Sequence, residues 1–205
     1  MEIVRVFRRG LIPDLSERWV VDVPCGSGVV SYWLRRAFPD LQLRLYDIDP
    51  ANVTIAQKHF GGSNVGRADL YSLNLPQANN VWLLINSLYC LPEVHTLVRT
   101  MSRQMEYVFG VFPHLGTKNI RAYLAEPGAV DPNLMSQAAT VGLFGENGYE
   151  VLYQKDITRI AYLSSRVRKW PWGFWWRKTF NLTDRFAILT GPYYWLALFR
   201  RMPKY

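Results

Sequence analysis

The chain has 205 residues, of which 49% are hydrophobic and 20% charged. That apolar share supports one buried core and excludes a disordered chain, and two cysteines are too few for a disulfide framework. The net charge of +8 is concentrated late: residues 155–205 hold eleven basic side chains against two acidic ones. A surface of that sign suits an anionic partner, whether headgroups, nucleic acid or a charged substrate.

The opening residues contain no apolar stretch of signal-peptide length, and no later run reaches a membrane-spanning length. Together with the sparse cysteines this reads as a protein of a reducing, cytoplasmic compartment. Residues 19–23 form a short apolar run ending in a Pro/Gly cluster, a buried strand. Residues 29–38 carry apolar positions at helical spacing and are closed by Pro39. Residues 41–48 alternate as a second strand. Pro50 opens a helix to about Phe60, since proline suits a first helical turn. Short strands are predicted at 64–68 and 80–86, a helix at 92–104 and a fifth strand at 107–112. A helix over 134–147 stops at Gly148, and strands follow at 149–155 and 193–199. Strands alternating with helices imply a mostly parallel sheet covered on both faces, in a single domain over 1–205. The aromatic, basic stretch 158–192 interrupts the rhythm and reads as an insertion or lid.

The strongest local signal is Val20-Val21-Asp22-Val23-Pro24-Cys25-Gly26-Ser27-Gly28, strand then turn then helix. Gly26 and Gly28 allow a sharp turn and close approach of a ligand. Asp47 follows nineteen residues after Gly28, at the end of the second strand, where a carboxylate accepts hydrogen bonds from ribose hydroxyls. The dinucleotide fingerprint fails, because Pro24 and Val29 stand where its outer glycines belong, and no Gly-Lys-Ser/Thr of a P-loop follows.

These residues resemble motif I of the class I S-adenosylmethionine-dependent methyltransferases, commonly D-x-G-C-G-T-G. Asp47 with Pro50 is similar to the acid and proline that follow that motif. Ala68-Asp69-Leu70 falls where the family places an acid against adenine. Asn80 to Leu91 resembles its fourth strand and turn, and Gly145 to Val151 the entry to its sixth strand. Pro24 departs from the pattern. The resemblance implies a Rossmann-like, doubly wound, seven-stranded, mostly parallel sheet with an antiparallel last strand and helices on both faces. It implies S-adenosylmethionine as cofactor, with S-adenosylhomocysteine as product. Asp22, Cys25, Gly26, Ser27 and Gly28 would line its methionine part, with Asp22 acting through the loop. Asp47 and Ile48 would hold the ribose side, Asp69 and Leu70 adenine, and Asn86 would stand near the sulfonium. Cys25 reads as a space-filler rather than a nucleophile.

Methyl transfer from a sulfonium depends mainly on alignment, with a general base for hydroxyl or ammonium acceptors. His114, after the fifth strand, is the base candidate, with Tyr89 and Glu93 further candidates; His59 and His95 read as helix-surface residues. The tetrad of base-directed amino-methyltransferases is absent, since Asn86-Ser87-Leu88-Tyr89 stands there. No Cys/His cluster has metal-ligand spacing. Residues 166–178 place four tryptophans among arginines and lysines. That composition suits packing, a lid, a membrane interface or RNA stacking. The leading expectation is a methyltransferase acting on an oxygen or nitrogen of a small or lipid-linked molecule. The others are an RNA methyltransferase or RNA binder, and a non-catalytic membrane- or partner-binding protein.

Overall fold

A computed structural model describes residues 2–75, 80–88, 91–113, 136–157 and 194–203. Its helices are α1 (Glu2–Arg8), α2 (Val29–Ala37), α3 (Pro50–Phe60), α4 (Val94–Met101) and α5 (Gln137–Glu146). Its strands are β1 (Trp19–Asp22), β2 (Gln42–Asp47), β3 (Val65–Arg67), β4 (Asn80–Ile85), β5 (Met105–Pro113), β6 (Tyr149–Ile157) and β7 (Tyr194–Arg201). The strands form one seven-stranded sheet in the order β3-β2-β1-β4-β5-β7-β6. The first five in that order pair in parallel, and β7 runs antiparallel to both β5 and β6. This is the doubly wound, Rossmann-like sheet expected from the sequence.

Alternation along the strands feeds two cores, one on each face. Val20, Val81, Leu83, Leu196 and Leu198 point to one face, beneath α1, α2 and α3. Val21, Trp82, Leu84, Ala197 and Phe199 point to the other, beneath α4 and α5. β4 is buried at five of its six positions, as a strand covered on both sides must be. In β2 only alternate residues are fully buried.

Local chemistry sets the ends. Asp49 caps α3 by accepting from the Ala51 amide at 2.8 Å, just ahead of Pro50 in the first turn. Ser136 caps α5 through the Ala139 amide at 3.1 Å. The expected strand over 80–86 ends one residue early, because Asn86 adopts φ +52° and leaves the extended path. The sequence reading placed no element before residue 19. α1 nevertheless buries Ile3, Val6 and Phe7, and the Phe7 ring meets Phe109 edge-on at 5.8 Å. Residues 158–192, expected as insertion or lid, lie outside the described residues.

Strand order reverses between β1 and β4: the chain winds outward through β2 and β3, then returns to the other side of β1. In open α/β sheets a crevice forms at such a switch, beyond the carboxyl ends of the strands. The loop after β1 opens there.

Candidate cofactor site

The loop between β1 and α2 is held at several points. The Trp82 indole N–H donates to the Val23 carbonyl at 2.8 Å, and the Cys25 amide to the Tyr46 carbonyl at 2.9 Å. The Gly28 amide closes a turn onto the Cys25 carbonyl at 3.0 Å. Gly26 and Gly28 adopt φ +54° and +73°, where a side chain is disfavoured. They differ in surroundings. A Cβ on Gly28 would lie 3.0 Å from Leu45 Cδ2 and 3.1 Å from Phe60 Cε2, whereas one on Gly26 would meet nothing within 4 Å. Gly28 therefore seats α2 against the sheet, while Gly26 presents backbone to open space. Ser27, between them, is exposed.

Asp47 sits at the end of β2 and is only 4% exposed. Its Oδ2 accepts from the Gly26 amide at 2.7 Å. Its Oδ1 accepts from the Asp49 amide at 2.9 Å and from Asn52 Nδ2 at 3.3 Å. A carboxylate has about four lone-pair sites, and these protein donors fill three of them. Asp47 thus ties the β1 loop to the β2 end as well as facing the crevice. Next to it Ile48 is 60% exposed, unusual for an isoleucine and fitting for a surface that covers a flat apolar ring.

Asp22, at the end of β1, is 2% exposed and accepts from Ser31 Oγ at 2.7 Å. Burial pushes its carboxyl up to about 7; the Ser31 hydroxyl opposes that shift and the charge of Asp47 adds to it. Asp22 is thus buried at the end of β1 and tied to the first turn of α2 through Ser31. Cys25 Sγ donates to the Gly26 carbonyl at 3.3 Å. Burial, then the charges of Asp22 and Asp47, push its thiol far up, so it stays protonated and is no nucleophile at neutral pH.

Asp69 is exposed, and its Oδ1 accepts from the Tyr71 amide at 3.0 Å in a tight turn. Leu70 buries its side chain in the core. At the end of β4, the Asn86 amide donates to the Val111 carbonyl at 2.7 Å. Asn86 Oδ1 and Ser87 Oγ are buried without a hydrogen-bond partner among the described residues. Orphaned polar atoms at a strand's carboxyl end fit a site that completes its hydrogen bonds with a ligand. His59 and His95 lie exposed on α3 and α4, and Glu93 stands at the start of α4 with φ +44°. His114 and Tyr89 lie outside the described residues.

The structure therefore brings Gly26, Gly28, Asp47, Ile48 and Asn86 to one edge, with Asp22 beneath them. The sequence reading did not single out Ser31, Asn52, Trp82 and Ser87. Ser31, a small polar residue one turn after the loop, carried the only readable hint. Among the described residues no group of His, Cys, Asp and Glu is arranged to hold a metal ion. No helix of the described residues is long and apolar enough to cross a membrane.

Comparison with known proteins agrees with this edge. Residues 8–80 match the family model described as methyltransferase small domain, and this segment contains both the loop and Asp47. No curated protein matches the sequence significantly. Among solved structures, the fold is similar to a chain in the complex of the Haloferax volcanii Trm112 methyltransferase activator with a methyltransferase. The TM-score is 0.68 at 14% identity, covering 98% of this chain and 90% of the other. It is also similar to an S-adenosylmethionine-dependent methyltransferase of Listeria monocytogenes, with TM-score 0.64 at 11% identity, covering 99% of this chain and 100% of the other. A third likeness is to magnesium protoporphyrin IX methyltransferase of Synechocystis PCC 6803 with bound S-adenosylhomocysteine. Its TM-score is 0.60 at 16% identity, covering 98% of this chain and 81% of the other. At these identities the structural likenesses establish the fold, and the family match covers the glycine loop and Asp47 but not Asn86. Residues 8–80 are similar to the methyltransferase small domain, and the whole fold is similar to that of S-adenosylmethionine-dependent methyltransferases.

Proposed function

We propose that the chain is a methyltransferase that moves the methyl group of S-adenosylmethionine to an oxygen or nitrogen of a small or lipid-linked acceptor. When bound, the cofactor supplies an electrophilic methyl group on a sulfonium. The chain's own residues would bind and align it. Gly26 and Gly28, with Cys25 and Ser27 between and beside them, let the loop pass close to the methionine part. Asp47 takes a ribose hydroxyl on its free lone pair. Ile48 covers one side of adenine, and Asp69 with the Leu70 backbone meets its edge. Asp22 supports the loop from beneath through Ser31. Asn86 stands at the mouth beside β4, and His114 or Tyr89 takes the acceptor's proton where one must leave.

One observation carries the cofactor half of this reading. The carboxylate of Asp47 binds the amide of Gly26 at 2.7 Å, so the two signature elements form one preset surface. The acceptor half rests on the missing base-methylation tetrad and on the small-molecule acceptor named for the Synechocystis relative in fold.

Titration calorimetry with S-adenosylmethionine and S-adenosylhomocysteine tests the first half, and no heat from the wild type would reject it. Labelled methyl transfer into separate polar and lipid extracts tests the second. Label entering RNA alone would replace the acceptor assignment.

A further inference from the structure

We infer that the outer face of α2 and α3 rests on an anionic lipid surface. Seven large hydrophobic side chains are exposed among the described residues, and four of them lie on these two helices: Val29, Tyr32, Trp33 and Ile55. Val29, Tyr32, Trp33 and Arg36 follow the i, i+3, i+4, i+7 spacing of one helix face, turned to solvent. The opposite side of α2 already faces the core through Ser31 and Leu34. The helix therefore carries large apolar side chains on its solvent side, more than its place in the fold requires. α3 extends the patch, because the His59 ring meets Tyr32 at 5.8 Å and Ile55 stands one turn before His59.

Charge selects the partner. Neither helix contains an aspartate or glutamate, and Arg35, Arg36 and Lys58 are all exposed. The nearest carboxylates in sequence are Asp49, engaged in capping α3, and Asp40, in the turn after α2. Aromatic rings with polar tips, aliphatic side chains and arginines in one stripe match the boundary between headgroups and acyl chains. The rings are poorly placed to stack bases. Tyr32 and Trp33 meet edge to face at 77°, and the Arg36 guanidinium lies 5.9 Å and 5.6 Å from their ring centroids. Parallel open platforms, which single-stranded nucleic acid uses, are not presented. α2 begins at the glycine loop, so a surface held by this face lies beside the crevice. The inference stands on this patch and does not depend on the acceptor or on methyl transfer.

Vesicle flotation of the full chain provides the test, with phosphatidylcholine alone and with phosphatidylcholine mixed with phosphatidylglycerol. Binding to the mixed vesicles only, weakened by salt, is expected. Arg35→Gln with Arg36→Gln should weaken partitioning about 25-fold, at roughly fivefold per cation. Trp33→Ser should weaken it by about tenfold or more, the worth of one withdrawn aromatic ring. Arg99→Gln with Arg103→Gln removes the same charge from exposed positions around α4, on the other side of the sheet, and should leave binding nearly unchanged. Calorimetry with S-adenosylhomocysteine and thermal melts, expected to match wild type for all these variants, separate a lost surface from a lost fold. Failure of the wild type to float with mixed vesicles would overturn the inference. So would equal losses in the α2 and α4 variants, or binding untouched by Trp33→Ser and the α2 arginine changes.

Discussion

Gly28 and Gly26 share a left-handed backbone but differ in what surrounds them, so replacing each by alanine separates folding from binding. At Gly28 the new methyl would lie 3.0 Å from Leu45 Cδ2 and 3.1 Å from Phe60 Cε2. Leu45 is fully buried and Phe60 is 6% exposed, so neither can swing aside into solvent. The left-handed conformation costs a non-glycine residue about 1–2 kcal/mol. Forcing a methyl into packed core costs about 1–3 kcal/mol more. The total is roughly 2–5 kcal/mol, which for a domain of this size lowers Tm by about 5–20 °C. At Gly26, where a Cβ meets nothing within 4 Å, only the backbone cost applies, and the expected fall is about 2–8 °C. In affinity the order reverses. Alanine at 26 places its methyl in the space assigned to the cofactor and should weaken S-adenosylhomocysteine binding at least about tenfold, one pocket clash of about 1.4 kcal/mol or more. Circular-dichroism melts and calorimetric titration of both variants provide the readouts. A Gly28→Ala protein that melts like wild type, or a Gly26→Ala protein that binds like wild type, would refute the assignment of roles.

Other expectations follow from the same contacts. Asp47→Ala should lose most cofactor affinity and also stability, because the Gly26 and Asp49 amides lose their acceptor; Asp47→Asn should recover stability better than affinity, read by melting and calorimetry together. Asp22 gives a pH signature. Its folded pKa of about 7 lies above its unfolded value near 3.8, so the folded state binds the extra proton and stability falls as pH rises through that interval. The slope is at most about 1.4 kcal/mol per pH unit. It should be missing from Asp22→Asn, and an unchanged pH–stability profile in that variant would exclude Asp22 as the source. Saturating cofactor at about a hundred times Kd should add about 2.7 kcal/mol, a Tm rise of roughly 5–11 °C in a thermal-shift assay. Gly110→Ala should destabilise by about 1–3 kcal/mol, since a Cβ there would collide with the buried Phe112 ring at Cζ. Adding Phe112→Leu should recover part of the loss, and strict additivity in denaturant melts would count against this packing.

The sheet and the crevice were legible where one residue type or one period decided the outcome. Glycines at 26 and 28 announce a turn that side chains resist, the apolar run of β4 announces a strand covered on both faces, and alternation marks β2. Asp47 was found by its spacing from the loop. Its local engagement was not, because the Gly26 amide and Asn52 reach it only once β1 and β2 lie side by side. Asn86 ends β4 by a left-handed backbone, which hydrophobic patterning does not record. α1 escaped because its seven residues bury only three apolar anchors, Ile3, Val6 and Phe7, and the worth of Phe7 depends on the Phe109 and Phe38 rings it meets. The antiparallel last strand was expected from the resemblance and not from periodicity, and its placement between β5 and β6 is a matter of topology.

That placement has a consequence for biosynthesis. β7 is the last strand in chain order, yet it fills the gap between β5 and β6. Until it leaves the ribosome, β5 presents an unpaired edge that includes Val108, Phe109 and Val111, and β6 has no strand to join. Nascent chains at that stage carry an open, apolar strand edge, the feature most prone to pairing with the wrong chain. Slowing of translation just before residue 194, or loss of residues 194–201, should therefore show as aggregation of new protein rather than as a folded but less active protein.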